Sequence, residues 1–207
     1  MKIMIAIPSM DSVPIQFAIS LATLNKVDDC FIASKTGSLV YMAREELAKQ
    51  AIQMEADYVL WLDSDMMFAP DTLQRLIADL DKGDIVSGLY FRRQPPFTPV
   101  LFPKLEFDGK TPDFTNLPDK LPDDIFEVGG VGFGCVLMPV DAIISVLAKY
   151  GELFTPYQTL GEDVAFCWRV RQCGYKIVVD PKIKLGHVGN YIVTESYYKA
   201  YKEGGQV

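Results

Sequence analysis

The stretch Tyr58-Val59-Leu60-Trp61-Leu62-Asp63-Ser64-Asp65-Met66-Met67-Phe68 stays apolar for the length of a strand and then meets two carboxylates. A short, unbroken apolar run of this kind reads as a buried strand, with Asp63 and Asp65 at its carboxyl end. In an extended chain, residues two apart point the same way, so the two carboxylates are expected side by side. Like charges that close repel, and a divalent cation, magnesium or manganese, is the natural neutralising partner for hard oxygen donors. The plainer reading is a strand that ends in a polar turn, with Asp65 helping to cap the next segment of chain. Open α/β sheets bind ligands at the carboxyl ends of their strands, which keeps both readings in play.

Outward from this stretch, the pattern alternates. Lys2 to Ile7 reads as a buried strand, followed by a turn-rich loop and a helix from about Ile15 to Leu24 with Phe17, Leu21 and Leu24 at helical spacing. Cys30 to Ala33 reads as a second strand. Leu39 to Met54 reads as a helix with Ala43, Leu47 and Ala51 on one stripe. After Asp65, Pro70-Asp71 starts a helix that Gly83 stops, and Asp84 to Phe91 is another strand. Strands alternating with helices predict an α/β fold, a mostly parallel sheet covered on both faces. The first strand is not followed by G-x-G-x-x-G, and no G-x-x-x-x-G-K-[ST] occurs, which argues against a dinucleotide site and excludes a P-loop.

The chain has 207 residues, 49% of them hydrophobic and 23% charged, as expected of one globular domain. Its formal net charge of −7 argues against a protein that lives on nucleic-acid phosphates or an anionic membrane. No apolar run approaches the roughly 18 residues of a spanning helix, and the first residues lack a signal-peptide pattern, so a cytoplasmic location is expected. Cys30, Cys135, Cys167 and Cys173 have apolar neighbours and irregular spacing, and read as reduced core thiols.

Residues 94–125 are dense in proline and read as a partly ordered insert flanking the site, with its second half a candidate for disorder. Glu127 to Met138 reads as one glycine-rich strand. Alternate glycines there admit either a ligand or a neighbouring backbone. A helix follows from about Val140 to Lys149. Gly161-Glu162-Asp163 then opens a second helix, which Gly174 stops. Its amino end stabilises ionised carboxylates, so Glu162 and Asp163 are either caps or an ionised base. Tyr175 to Val179 is a strand, Ile183 to His187 a short edge piece carrying the only histidine, and residues 191–207 a tail with a helix around 196–201.

The series is an Asp-x-Asp at Asp63 and Asp65, a later glycine-rich strand, a Gly-Glu-Asp helix carrying Arg169 and Arg171, then Gly174-Tyr175, a strand and His187. It resembles the GT-A glycosyltransferases, and the family-2-like members most closely, from Ile5 to about His187. The resemblance implies a single GT-A, Rossmann-like domain over residues 1–190 with a small antiparallel C-terminal part. Residues 1–93 would form the nucleotide-sugar half and 126–190 the acceptor and catalytic half. Pro8 and Ser9 match the loop that holds base and ribose, with Asp11 and Ser64 counted among the donor contacts. Arg44 matches a helix residue near the nucleotide, a solvated helix charge being its alternative. Asp63 would face ribose or metal, Asp65 would bind the metal, and His187 would complete the ligands, which tilts the choice to manganese over magnesium. Asp163 matches the catalytic base that takes the acceptor proton with inversion; Glu162 is the fallback for that role or for holding the acceptor. Arg92 and Arg93 are candidate contacts to phosphates or acceptor. The implied donor is a nucleoside-diphosphate sugar, foremost a UDP-sugar, and the acceptor a carbohydrate or another hydroxyl compound. The loop Pro8-Ser9-Met10-Asp11 departs from the family in lacking an aromatic and an asparagine. Three alternatives stay open: a retaining enzyme with the same metal site, a sugar nucleotidyltransferase, and a non-catalytic sugar-nucleotide-binding protein.

Overall fold

The computed structural model describes residues 1–107, 112–114, 120–189 and 192–204. Its central sheet has seven strands: β1 (Ile3–Pro8), β2 (Cys30–Lys35), β3 (Tyr58–Leu62), β5 (Ile85–Leu89), β9 (Phe126–Val128), β11 (Cys135–Pro139) and β12 (Ile177–Lys184). The order is β2-β1-β3-β11-β5-β12-β9. Five strands run one way; β11 and β9 pair antiparallel to their neighbours. The expected α/β architecture with a mostly parallel sheet is therefore present.

Strand periodicity divides the core in two. Met4, Ala6, Val59 and Trp61 face a cluster formed with helices α2 (Val40–Gln53), α4 (Val140–Tyr150) and α5 (Glu162–Arg171). Ile3, Ile5, Ile7, Leu60 and Leu62 face the other cluster, with α1 (Ile15–Thr23) and α3 (Thr72–Ala78). Both faces of β1 and β3 are buried, which is why these strands read as continuous apolar runs.

Three short antiparallel pieces surround the sheet. β4 (Met66–Met67), β13 (Gly186–Val188) and β14 (Ile192–Val193) form one small sheet, β6 (Leu101–Phe102) pairs with β10 (Gly130–Val131), and β7 (Leu105–Phe107) pairs with β8 (Pro112–Phe114). The expected disorder in the second half of the insert falls partly on residues 108–111 and 115–119, outside the described residues. The first half is packed: Leu101 and Leu105 are buried. The tail carries α6 (Glu195–Lys202), whose Tyr198 stacks on Phe91 with ring centroids 5.4 Å apart.

The glycine-rich segment is not one strand. It breaks into β9, β10 and β11, which lie at the sheet edge, outside the sheet and in the sheet centre. A Cβ on Gly129 would sit 2.3 Å from the Leu105 nitrogen; on Gly132 and Gly134 it would sit 2.2 Å and 2.7 Å from Tyr90 atoms. These glycines make room for protein, not ligand. Gly83 likewise does not cap α3, which ends earlier; a Cβ there would lie 2.7 Å from Val178. Gly174, at φ +94°, is the left-handed stop expected after α5. Asp180-Pro181 does not divide β12: the Asp180 carboxylate accepts the Lys182 N–H at 2.8 Å, and the strand continues through a register shift. Of the cysteines, Cys135 and Cys167 are buried while Cys30 and Cys173 are only partly so, and all four are free thiols. Among the described residues no helix is long and apolar enough to cross a membrane.

One pair outside the cleft sets a pH response. Burial, then the neighbouring Asp180 carboxylate, raises the Asp79 carboxyl above its ordinary range. The native state thus holds this proton more tightly than the unfolded chain, and stability is lost as pH rises through the raised value. Asp79→Asn is expected to raise the thermal midpoint at pH 8 by about 1–3 °C, a small gain because Asp79 is partly exposed and water screens the repulsion. Melting curves of both proteins from pH 4 to 8 check this; parallel curves would contradict it.

Candidate functional site

β3 ends at Leu62, and the next residues turn: the Met66 N–H bonds to the Asp63 carbonyl at 3.1 Å, and the Val188 N–H to the Asp65 carbonyl at 2.7 Å. Asp63 and Asp65 are therefore not on an extended segment, yet both line one cleft and the Asp65 charge acts on Asp63. Each carboxylate has its own cation. Asp63 Oδ1 accepts from Arg44 Nη2 at 2.8 Å, and Asp65 Oδ2 lies 3.0 Å from Arg93 Nη1 and 3.5 Å from His187 Nε2.

Arg44 is the hub. Its side chain is 3% exposed, so it is no solvated helix charge, and its Nε reaches Glu162 Oε1 at 3.4 Å. One guanidinium on α2 thereby ties the end of β3 to the start of α5. Its Cζ lies 5.2 Å from the Phe133 ring centroid and 5.8 Å from that of Trp61. Burial favours the neutral form, but Asp63, Glu162 and Asp163 together raise its pKa and keep it charged. Its Nη1 and the Ser38 Oγ are buried with no hydrogen-bond partner among the described residues. Both belong to residues lining a cleft, and unmet buried donors are uncommon without a ligand or water.

That cleft, about 420 Å³, is lined by Pro8, Ser9, Ser38, Arg44, Asp63, Ser64, Asp65, Arg93, Glu162, Asp163 and His187, with Met10, Val40 and Ala43. It opens at the carboxyl ends of β1 and β3, where open α/β sheets bind ligands. Of the residues nominated from the sequence, Asp11 and Arg92 lie outside this lining. Asp11 is exposed, accepts from the Ser12 hydroxyl at 3.3 Å, and lines a neighbouring apolar groove along α1 that it shares with Ser9. Sequence reading misses Ser38, whose only signal is a place just after Gly37 (φ +70°) in the loop past β2. Arg93, whose spacing fixed no role, is placed by the fold against Asp65.

The electrostatics separate the acids. Burial, then Glu162, pushes the Asp163 carboxyl up to about 6, with Arg44 and the Val164 N–H (2.7 Å from Oδ1) pulling it down. The amino end of α5 was expected to keep it readily ionised; desolvation outweighs that. Burial also raises Asp63, against the pull of Arg44. Burial works against Asp65 too, but His187 and then Arg93 hold its carboxyl below the ordinary range.

A divalent ion needs several donor atoms converging on one point. Among the described residues no group of three His, Cys, Asp or Glu side chains is arranged to hold a metal ion. The set Asp63, Asp65 and His187 is thus not assembled, because Asp63 is turned to Arg44. Asp65 and His187 do fit as two ligands. His187 Nδ1 lies 2.9 Å from the Phe91 carbonyl, an acceptor only, so this nitrogen carries the proton. Nε2 then faces Asp65 Oδ2 at 3.5 Å, which places two atoms able to ligate a metal side by side. Magnesium and manganese sites commonly take one or two protein ligands and complete themselves with substrate phosphates. The ring is fixed further by Tyr90, edge-on with centroids 5.6 Å apart; the Tyr90 hydroxyl accepts the Gly134 N–H at 3.2 Å.

α5 is itself pinned. Buried Arg169 donates to the carbonyls of Leu153 and Thr155 at 3.0 and 2.8 Å and pairs with Glu152. The Glu45 carboxylate accepts the N–H groups of Leu153 and Phe154 at 3.3 and 3.2 Å.

Neither a family model nor a curated protein sequence matches the chain. Solved structures do. A197 from STIV superposes with a TM-score of 0.69 at 19% identity, over 95% of this chain and 92% of that one. GalNAc-T7, solved with UDP, GalNAc and Mn2+, superposes with a TM-score of 0.64 at 12% identity over 98% of this chain. The match spans 47% of the GalNAc-T7 chain. The chain thus has a single α/β domain with a GT-A-like, Rossmann-type fold.

Proposed function

We propose that the protein is a glycosyltransferase that moves a sugar from a nucleoside-diphosphate sugar, foremost a UDP-sugar, to an acceptor hydroxyl. The observation that carries this is the single cleft in which Pro8, Ser9, Asp63, Ser64, Asp65 and His187 face Glu162 and Asp163. In this reading Pro8, Ser9 and Ser38 lie along the nucleotide, and Asp65 and His187 hold a divalent ion, manganese before magnesium. Bound there, the ion supplies positive charge that favours departure of the diphosphate. Asp163 takes the acceptor proton as the acceptor oxygen bonds to the anomeric carbon. The bond from that carbon to the diphosphate oxygen breaks, its electron pair leaves with the diphosphate, and the configuration inverts. A carboxyl that titrates near 6 is ionised at neutral pH yet basic enough to accept the proton. Glu162, held by Arg44, serves to position Asp163 and the acceptor.

Thermal unfolding with UDP, GDP and their sugars, each with and without manganese, tests the reading. A nucleoside diphosphate is expected to raise the midpoint only with the metal, and Asp65→Ala is expected to abolish the rise. Stabilisation indifferent to both metal and Asp65 would sink the metal-dependent reading.

A further inference from the structure

Asp65 meets its two cationic neighbours at one oxygen. Arg93 Nη1 lies 3.0 Å from Asp65 Oδ2, and His187 Nε2 lies 3.5 Å from the same atom. Arg93 also points Nη1 at the Val188 carbonyl, 3.5 Å away on the strand that carries His187. Its backbone follows β5 beside a turn in which the Arg92 N–H bonds to the Thr98 carbonyl at 2.9 Å, so its anchor point is held. The side chain is 48% exposed and lines the open cleft.

We propose that Arg93 holds the cation position on Asp65 until donor arrives, then passes to the donor's diphosphate as a divalent ion takes its place. This rests on the glycosyltransferase reading above. A guanidinium and a divalent ion on one carboxylate oxygen repel each other, so the two alternate. No third His, Cys, Asp or Glu side chain among the described residues joins Asp65 and His187, and an ion alone is a weak competitor for a position Arg93 already fills. Oxygens of a diphosphate complete the ion's ligands, and the same diphosphate offers the displaced guanidinium a bidentate partner. Metal and diphosphate therefore enter together, each lowering the cost of the other's binding.

Calorimetric titration of wild type and Arg93→Gln with Mn2+ alone, with UDP alone, and with UDP in the presence of Mn2+ tests this. Arg93→Gln is expected to bind Mn2+ alone about 3–10-fold more tightly, because the competitor is gone. It is expected to bind UDP with Mn2+ about tenfold more weakly, because the clamp is gone. Arg93→Lys keeps a charge without the fork; it should leave the Mn2+ affinity near wild type and recover part of the UDP affinity. Opposite movement of the two affinities is the signature, since a side chain that only shapes its loop would move both the same way or neither. Movement in one direction, with Mn2+-dependent UDP binding intact in wild type, overturns the exchange and leaves the proposed function standing. Wild type that binds UDP without regard to Mn2+ overturns both.

Discussion

Asp163→Asn is expected to cut sugar transfer by about 10²–10⁴-fold while leaving Mn2+-dependent UDP binding within about twofold of wild type. The substitution keeps the shape and an oxygen for the Val164 N–H but removes the base. Steady-state assays of transfer beside UDP titrations separate the two effects. The sign of the pH dependence follows from burial: Asp163 must be ionised to work and titrates at about 6, so the rate rises with pH through about 6 and levels off above it. Near pH 5 most molecules are expected to be inactive yet folded. A variant as active as wild type, or a rate flat from pH 5 to 8, would remove Asp163 from the base role.

The second large effect concerns stability. Arg44→Ala is expected to destabilise the fold by about 2–4 kcal/mol, or roughly 5–15 °C in thermal midpoint. It strands Asp63 and Glu162 without their shared cation and opens a hole beside Trp61 and Phe133. The figure sits at the lower end of what breaking a buried pair costs because the Asp63 side chain is 31% exposed and water relieves part of the penalty. Arg44→Lys keeps the charge but cannot span both carboxylates, and an intermediate loss is expected. The deficit should shrink in mild acid, where Asp63, already raised by burial, takes up its proton. Chemical unfolding at pH 5 and pH 8 reads this directly; a deficit that grows on acidification contradicts the account.

The network also changes how the Asp-x-Asp stretch is understood. Two carboxylates close in sequence suggested one cation for both. The fold gives Asp63 a buried guanidinium from α2 and leaves Asp65 to His187 and Arg93 at the open edge of the cleft. The two carboxylates are therefore paired with different cations.

Sequence alone determined the layering of this protein and most of the cleft's membership. Apolar runs at Ile3–Ile7 and Tyr58–Leu62 specify strands buried on both faces, and the stripes at Ala43, Leu47 and Ala51 specify a covering helix, because local periodicity fixes which faces must leave water. Residues at the ends of those strands and at the start of α5 then share one rim, so Asp63, Asp65, Glu162 and Asp163 were legible as site candidates, while Pro8 and Ser9 came from the resemblance to GT-A glycosyltransferases. Tertiary structure alone decided their chemical states. Nothing local to Arg44 shows that it will be buried between two carboxylates 19 and 118 residues away. Nor does anything local to the glycines from Gly129 to Gly134 reveal that Leu105 and Tyr90 fill their missing side chains. Desolvation and charge pairing depend on distances between segments remote in the chain, and those distances exist only once the sheet has closed.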